Sequence, residues 1–200
     1  MPITLEFIQP QDIRTVAYVV SRALLSSPNS IALWGGQSER HRHRIEEAVR
    51  IVNLEHPRSV TVVAWLDGRI IGALSMLPWP DCQPGVLECL RLTPRMLGVV
   101  NGGVFRALRM QITAARLDPH RPHWHLGPVG VLPEVQGQGV GGKLIRRTLQ
   151  IIDERHGAAY LETDNLNVVS SHQKLGFRVI READMLGVHN YLMWRDPAGE

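Results

Sequence analysis

The first third of the chain alternates between strand-like and helix-like spacing of its apolar residues. The run "ITLEFI", residues 3–8, has the alternation of a short strand that ends at Pro10. From Asp12 onward apolar residues recur every three or four positions, which predicts a helix ending near residues 26–30. A second helix is predicted from Ser38 to Leu54, with Ser38 as its N-cap.

The next part of the chain predicts a hairpin and then an interrupted helix. Residues 59–78 hold two β-rich runs on either side of Asp67-Gly68, a strong signal for a two-residue hairpin turn. Residues 94–117 have helical character, but interior glycines cost about 0.5–1 kcal/mol each relative to alanine. We therefore expect a break in this helix near its three glycines, Gly98, Gly102 and Gly103.

The second half predicts strands and helices in alternation. Residues 123–133 form a strand candidate with two glycines and a proline inside it, which favours a bulge or a neighbour that splays away. We interpret the whole chain, residues 1–200, as one α/β domain. Its remaining predicted elements are a helix at 138–156, a strand at 157–163, a short helix at 166–176 closed by Gly176 as its C′ residue, and an antiparallel pair at 177–185 and 189–196.

Composition and charge exclude several classes of function. The chain is 44% hydrophobic and 20% charged, as ordinary globular domains are, and its net charge is +3. Nucleic-acid binding is not expected, because the densest basic run, "RHRHR" at residues 40–44, is typical of a solvated helix face. No window reaches about 18 apolar residues and the N-terminus lacks the pattern of a signal peptide, so no membrane association is predicted.

The cysteines and histidines give no metal motif. Cys82 and Cys89 form no disulfide framework, so a reducing cytoplasm is the expected location. His123 and His125 would share one face of a strand, but only Asp118 lies near them at ligand spacing. We therefore expect no metal, and these histidines are candidates to line the mouth of an acceptor pocket.

The stretch "EVQGQGVGGKL", residues 134–144, has the glycine density of a phosphate-binding loop. A P-loop is excluded because Leu144 follows the lysine where Ser or Thr must coordinate Mg²⁺. A dinucleotide turn is disfavoured although Glu162 stands twenty residues after Gly142, because its first glycine would directly follow a strand. The pattern Q-x-x-G-x-G fits the pyrophosphate loop of an acyl-CoA transferase, and a simple glycine-rich helix start remains the alternative.

Three motifs together resemble one family. "VGVLPEVQGQGVGGKLI", "LETDN" and "HQKLGF" are similar to the GNAT acetyltransferases, and within them to the puromycin N-acetyltransferase-like group. The resemblance is most specific over residues 123–177. It implies a mixed α/β fold whose mostly antiparallel sheet is splayed between strands 4 and 5 and flanked by helices, with acetyl-CoA as co-substrate in the cleft.

The resemblance also implies which residues bind acetyl-CoA. The main chain around Val129 and Val131 would bind the pantetheine and thioester, and Asn165 would contact the cofactor arm. The pyrophosphate would lie on the glycine loop. The full set of implied binding residues is Val129, Gly130, Val131, Gln136, Gly137, Gln138, Gly139, Val140, Gly141, Gly142 and Asn165.

Two residues are candidates for proton transfer. Glu162 matches a carboxylate proposed as general base in relatives. His172 stands where the family usually has a tyrosine that protonates the departing thiolate, and an imidazole with an ordinary pKa of about 6.5 can donate a proton too. Alternatively His172 only packs beside the cofactor, and Tyr191 is a second candidate donor.

The expected function is an acetyl-CoA-dependent N-acetyltransferase that acetylates a primary amine of a small molecule by direct attack. A non-catalytic acyl-CoA sensor is one alternative, motivated by His172 in place of tyrosine. An acetyltransferase for protein or peptide amines is another. A homodimer is also possible by the habit of the family.

Overall fold

A computed structural model describes residues 2–83, 94–96, 98–100 and 103–199. One sheet of seven strands has the order β1-β2-β3-β4-β5-β7-β6. The strands are β1 (Thr4–Phe7), β2 (Val60–Leu66), β3 (Arg69–Pro78), β4 (Trp124–Val131), β5 (Ala159–Thr163), β6 (Arg178–Met185) and β7 (Val188–Arg195). The helices are α1 (Ile13–Leu24), α2 (Pro28–Trp34), α3 (Glu39–Val49), α4 (Val104–Leu117), α5 (Val140–Asp153) and α6 (Leu166–Gln173).

The sheet is mixed and mostly antiparallel. Every neighbouring pair of strands is antiparallel except β4 and β5, which run parallel. The parallel pairing comprises Trp124 with Ala159 and His125 with Tyr160. Because β4 continues to Val131, the two strands diverge after His125. The predicted α/β fold, with its sheet splayed between strands 4 and 5, is confirmed.

Helices cover both faces of the sheet. On one face α1 and α3 pack their apolar residues against the side of β2 that carries Val63. On the other face α5 packs Leu144 and Ile152 against the side that carries Val62. Since successive side chains of a strand point to opposite faces, both sides of β2 and β3 are apolar, and the two strands have nearly continuous hydrophobic sequences.

Most predicted elements are confirmed with small shifts at their ends. The hairpin turns at Asp67 and Gly68, both with positive φ as a two-residue turn of this type requires. Gly176 has φ of +90° and closes the end of α6 through a bond from the Phe177 N–H to the His172 carbonyl, as predicted for a C′ glycine. Ser38 is the N-cap of α3.

Three local features differ from the sequence predictions. α2 was not predicted, although Ser27 caps it by accepting from the Ser30 N–H and Gly35 ends it in the left-handed conformation. The predicted helix 38–54 is α3 followed by a π-helical turn, Arg50–Leu54. Residues 94–96 and 98–100 are helical and α4 begins after Gly103, but Gly102 lies outside the described residues, as does Cys89.

One close contact fixes how α1 lies on β4. A Cβ atom at Gly130 would stand 2.7 Å from the Cα atom of Val20 and 3.1 Å from the Cβ atom of Ala23. Real Cβ atoms do not approach this closely, so the helix touches the strand only because position 130 has no side chain. Gly130, expected from the resemblance to bind the cofactor, is therefore required for packing.

Among the described residues, none of the helices combines the length and the apolar character needed to cross a membrane.

Candidate active site

The divergence of β4 from β5 opens a cleft at the centre of the sheet. On its other edge β4 stays paired with β3 as far as Val131. No described strand pairs with the β5-facing edge of β4 beyond His125, and Val129 is 40% exposed. Peptide groups on an open strand edge are available to hydrogen-bond a ligand that lies along it. The main chain of Val129, Gly130 and Val131 lies on this stretch.

The glycine loop connects the end of β4 to the start of α5. Gly137 and Gly139 both have φ of +78°, a conformation that costs residues with a side chain about 1–2 kcal/mol. Gly139 is the N-cap of α5, and the Gln136 side chain donates to the Val131 carbonyl at 2.9 Å. The loop is thus held against the end of β4 by its own first residue.

The first turn of α5 has the properties of an anion site. The first N–H groups of a helix have no partner within it, and the helix dipole favours negative charge there. A Cβ atom at Gly141 would have only one described atom within 4 Å, the Val131 Cγ2 at 3.9 Å. Gln138 is exposed, whereas Val140 is buried and anchors the turn in the core. Backbone N–H groups can therefore be approached closely from the cleft side.

Glu162 lies on β5 next to the point where the sheet opens. Its Oε2 atom is 3.1 Å from Nε2 of His125, and its Oε1 atom accepts a hydrogen bond from the Tyr160 hydroxyl at 3.1 Å. Burial raises the pKa of Tyr160, and the negative charge of Glu162 raises it further, so the phenol keeps its proton and stays a donor. The carboxylate is held in one orientation by two partners on adjacent strands.

The sequence did not identify His125 as the partner of Glu162. The expectation placed His123 and His125 at the mouth of an acceptor pocket. In the structure the β4–β5 register places His125 beside Tyr160, so the imidazole reaches the carboxylate two residues along β5. Burial opposes protonation of His125, but the charge of Glu162 and hydrogen bonds outweigh it and raise its pKa well above the ordinary value.

Three more polar side chains lie behind His125. They are Cys82, Asp118 and His123, and together with His125 they form a group whose potential metal-ligand atoms all lie within 4.8 Å of one another. Burial alone would raise the pKa of Asp118, but the two neighbouring imidazoles lower it below its ordinary value. Burial opposes protonation of His123, yet its partners Asp118, Cys82 and the Arg121 carbonyl, which favour the protonated imidazole, raise its pKa to about 9.

His172 is placed differently from Glu162. It lies on α6, it is 7% exposed, and its ring centre is 6.0 Å from that of Phe177. Its Nδ1 atom is buried without a hydrogen-bond partner, and burial lowers the pKa of the imidazole. The neutral form therefore predominates at pH 7, and the cationic form, which is the stronger acid, is scarce.

The two remaining candidates from the sequence, Asn165 and Tyr191, lie near the end of β5. Asn165 is the N-cap of α6, and its side-chain oxygen accepts from the Asn167 N–H at 3.0 Å. Its amide NH₂ group is therefore the part of the side chain that could meet a cofactor. Tyr191 is half-buried on β7, opposite Thr163 of β5.

These features define a class: a splayed mixed sheet with a glycine turn and a helix N-terminus at the mouth of the cleft. Residues 25–177 match the family described as the acetyltransferase (GNAT) family. The chain belongs to the GNAT acetyltransferase family.

Solved structures support the same fold. A protein from Corynebacterium glutamicum described as histone acetyltransferase HPA2 and related acetyltransferase is similar at 21% identity with a TM-score of 0.75, covering 100% of this chain and 99% of that chain. A GNAT family acetyltransferase from Brucella melitensis, in complex with acetyl-CoA, is 19% identical with a TM-score of 0.55, covering 98% and 88%. The Drosophila melanogaster polyamine N-acetyltransferase, described as catalysing the formation of N-acetylagmatine, is 13% identical with a TM-score of 0.65, covering 96% and 98%.

Proposed function

We propose that this protein is an acetyl-CoA-dependent N-acetyltransferase that acetylates a primary amine of a small molecule by direct attack. One observation carries the proposal: the unpaired edge of β4 runs into a turn with two positive-φ glycines and then into the N-terminus of α5. Such an arrangement suits a long ligand with a diphosphate, because an extended arm pairs with the strand while the phosphates lie on the helix.

The binding roles follow the geometry. The main chain of Val129–Val131 pairs with the pantetheine arm, and the N–H groups from Gln136 to Gly142 bind the pyrophosphate. Asn165 contacts the arm from the opposite side of the cleft through its amide group. The shape of the Brucella melitensis protein, which was solved with acetyl-CoA, supports the same ligand for this fold.

Glu162 is the proposed general base. The attacking amine must be neutral, so its proton has to leave before or during attack on the thioester carbonyl. The nitrogen–carbon bond forms, the carbon–sulfur bond breaks, and the departing thiolate takes up a proton. A backbone N–H on the open edge of β4 stabilises the carbonyl oxygen as it gains charge. Holding the amine and the thioester in line supplies a further part of the acceleration.

His172 is proposed as proton donor to the thiolate, with Tyr191 as the second candidate. Burial makes His172 a less effective proton donor, because a lowered pKa leaves little imidazolium at neutral pH. If the imidazolium is the acid, its contribution to turnover falls as the pH rises through that lowered pKa. In a plot of turnover against pH, this falling limb therefore lies below pH 6.5, the ordinary pKa of histidine.

We infer the class of acceptor from similarity to other proteins. The motifs at residues 123–177 resemble the puromycin N-acetyltransferase-like group, and the Drosophila protein of similar fold is described as a polyamine N-acetyltransferase that forms N-acetylagmatine. The Corynebacterium protein is described by its relation to a histone acetyltransferase, which keeps protein amines as the alternative acceptor. A cytoplasmic location and a homodimer remain predictions.

The test is release of CoA thiol from acetyl-CoA against a panel of small amines and lysine peptides, from about pH 5 to pH 9, so that the range extends below the ordinary pKa of histidine. Amine-dependent release with small amines supports the proposal, and release only with peptides favours the protein-directed alternative. A His172→Phe variant that loses a falling limb below pH 6.5 supports the imidazole acid, and an unchanged profile rejects it.

The buried His172 also favours a second candidate, a non-catalytic acyl-CoA sensor, because a neutral imidazole is a weak acid. A sensor would gain thermal stability from acetyl-CoA and release no thiol with any amine. If acetyl-CoA gives neither release nor stabilisation, the interpretation of the glycine loop is wrong.

A further inference from the structure

Four side chains that carry thiol, carboxylate and imidazole groups lie close together next to Glu162, the candidate base. Cys82 lies in the turn after β3, Asp118 is the C-cap of α4, and His123 and His125 lie at the start of β4. None of them belongs to the predicted acetyl-CoA site. Their thiol, carboxylate and imidazole groups are the ligand types that proteins use for zinc and related divalent ions.

The distances between the ligand atoms suit a tetrahedral ion. Zinc lies about 2.0–2.3 Å from nitrogen, oxygen and sulfur ligands, which places ligand atoms roughly 3.3–3.7 Å apart at the corners of a tetrahedron. The Cys82 sulfur is 3.6 Å from Asp118 Oδ2 and 3.7 Å from His123 Nε2. The same oxygen, Asp118 Oδ2, is 3.5 Å from His125 Nδ1, whereas the other oxygen, Oδ1, is 3.1 Å from His123 Nε2.

The outer nitrogen of each histidine has its own partner. His123 Nδ1 is 2.7 Å from the Arg121 carbonyl oxygen, and a carbonyl can only accept, so this nitrogen carries the proton. His125 Nε2 is 3.1 Å from the Glu162 carboxylate. In the neutral imidazole that binds metal, each bond leaves the lone pair of the other nitrogen facing the centre of the group. Metal-binding histidines are held in this way by a carbonyl or carboxylate behind them.

The atoms that face the centre lack ordinary hydrogen bonds. Asp118 Oδ1 and His125 Nδ1 are buried without a hydrogen-bond partner, although Oδ1 is 3.1 Å from His123 Nε2. This distance is short enough for a hydrogen bond, but the angle between the imidazole N–H and the carboxylate oxygen is not suitable. The side chains of His123 and Asp118 are only 0% and 4% exposed. Leaving such atoms unpaired costs about 1–3 kcal/mol each, a cost that a shared ion removes.

We propose that Cys82, Asp118, His123 and His125 form a four-coordinate site for a divalent transition ion of the zinc class. Four protein ligands fill a tetrahedron, so the site is structural and leaves no open position for a substrate. It ties the turn after β3 and the end of α4 to the start of β4. Through His125 the bound ion also fixes the orientation of Glu162. The sequence alone did not predict this link.

Charge supports the geometry. A divalent ion replaces the thiol proton of Cys82 and any protons on the inward-facing imidazole nitrogens with one central charge. The buried carboxylate of Asp118 offsets part of that charge.

The test measures metal content in the full chain and does not depend on acetyl-CoA or on turnover. Purified protein is stripped with a chelator, dialysed against Zn²⁺ or Co²⁺, and analysed for bound metal by mass spectrometry. The variants are Cys82→Ser and His123→Gln. The controls are His120→Gln, which removes an exposed histidine of the same loop, and Cys89→Ser, which removes the other cysteine.

The expected result is one equivalent of metal in the wild type and in both controls. The Co²⁺ form should show the intense visible bands of tetrahedral cobalt and a thiolate charge-transfer band that disappears in Cys82→Ser. Loss of the groups that merely orient a ligand costs about 10–100-fold in affinity, so loss of a ligand such as His123 should cost at least as much.

Two results would overturn the site. One is a wild type that retains no stoichiometric zinc or cobalt after dialysis. The other is metal uptake that Cys82→Ser and His123→Gln leave unchanged. Circular dichroism checks that each variant folds, and Cys82→Ser decides the matter if His123→Gln does not fold. Either failure leaves a metal-free cluster in which the direct contact between His125 and Glu162 still orients the carboxylate, so the proposed acetyl transfer stands or falls by its own assay.

Discussion

Replacing Gly141 with alanine should stabilise the free protein and weaken its binding of acetyl-CoA. Gly141 is the second residue of α5, its φ is not in the left-handed region, and an added Cβ would meet nothing closer than Val131 Cγ2 at 3.9 Å. Glycine in a helix costs about 0.5–1 kcal/mol relative to alanine. For a domain of this size 1 kcal/mol shifts Tm by about 2–4 °C, so Gly141→Ala should raise Tm by roughly 1–4 °C.

The same methyl group should obstruct the ligand. If the pyrophosphate lies on the first turn of α5, its oxygens approach the N–H groups through the space that the Cβ atom would fill. We expect binding of acetyl-CoA to weaken at least tenfold, which corresponds to about 1.4 kcal/mol. The assay is thermal unfolding with and without acetyl-CoA, together with titration calorimetry. A variant that is stabilised and binds acetyl-CoA as tightly as the wild type would refute the placement of the phosphate.

Two matched variants distinguish obstruction of the ligand by an added methyl group from strain in a left-handed backbone conformation. Gly139→Ala places a side chain at φ of +78°, which costs about 1–2 kcal/mol and should lower Tm by roughly 2–8 °C. Gly187→Ala introduces the same kind of strain at φ of +82° in the β6–β7 turn, also with open space around it. Gly187→Ala should lower Tm similarly without changing the binding of acetyl-CoA, whereas Gly139→Ala should lower both.

Three further predictions concern the base, the buried histidine and the α1–β4 contact. Glu162→Gln should reduce amine-dependent thiol release by about 10²–10⁴-fold with acetyl-CoA binding retained, whereas Glu154→Gln, on the exposed end of α5, should have no effect. Burial lowers the pKa of His172, so the unfolded chain takes up a proton there more readily below about pH 6.5. Stability should therefore fall with pH below that value, and this part of the fall should be absent from thermal melts of His172→Phe; an equal fall in both would contradict the burial argument. Gly130→Ala should cost about 1–3 kcal/mol in urea unfolding because the new methyl group collides with Val20, and unchanged stability would show that α1 does not press on β4.

The sequence predicted the local features of the fold well, because their signals lie within a few residues. Asp67-Gly68 specifies a turn by its own backbone preference, and the glycines and proline inside β4 mark a strand that leaves its neighbour. α2 was missed because its seven residues are too few to show a helical period, although Ser27 and Gly35 are ordinary capping residues.

The sequence named candidate site residues in several elements, but it predicted their spatial arrangement only where one continuous stretch forms it. The glycine loop is such a stretch. The contact of His125 with Glu162 depends on the register between two parallel strands, and hydrophobic alternation gives the face of a residue but not its partner across a sheet. Cys82 reaches His123 over 41 residues of sequence, a distance at which no ligand spacing can be recognised.

The register at one point of the sheet connects the cleft with the cluster behind it. His125 pairs with Tyr160 at the last contact between β4 and β5, and the two-residue period of a strand places His123 on the same face of β4 and Glu162 on the same face of β5. Cys82 and Asp118 hold the two histidines from one side, and Glu162 holds His125 from the other. The strands therefore diverge directly beyond a group of side chains that fixes β4 in place. A rigid end of the parallel pairing would keep both the open edge of β4 and the carboxylate of Glu162 in the positions that the proposed transfer to an amine requires.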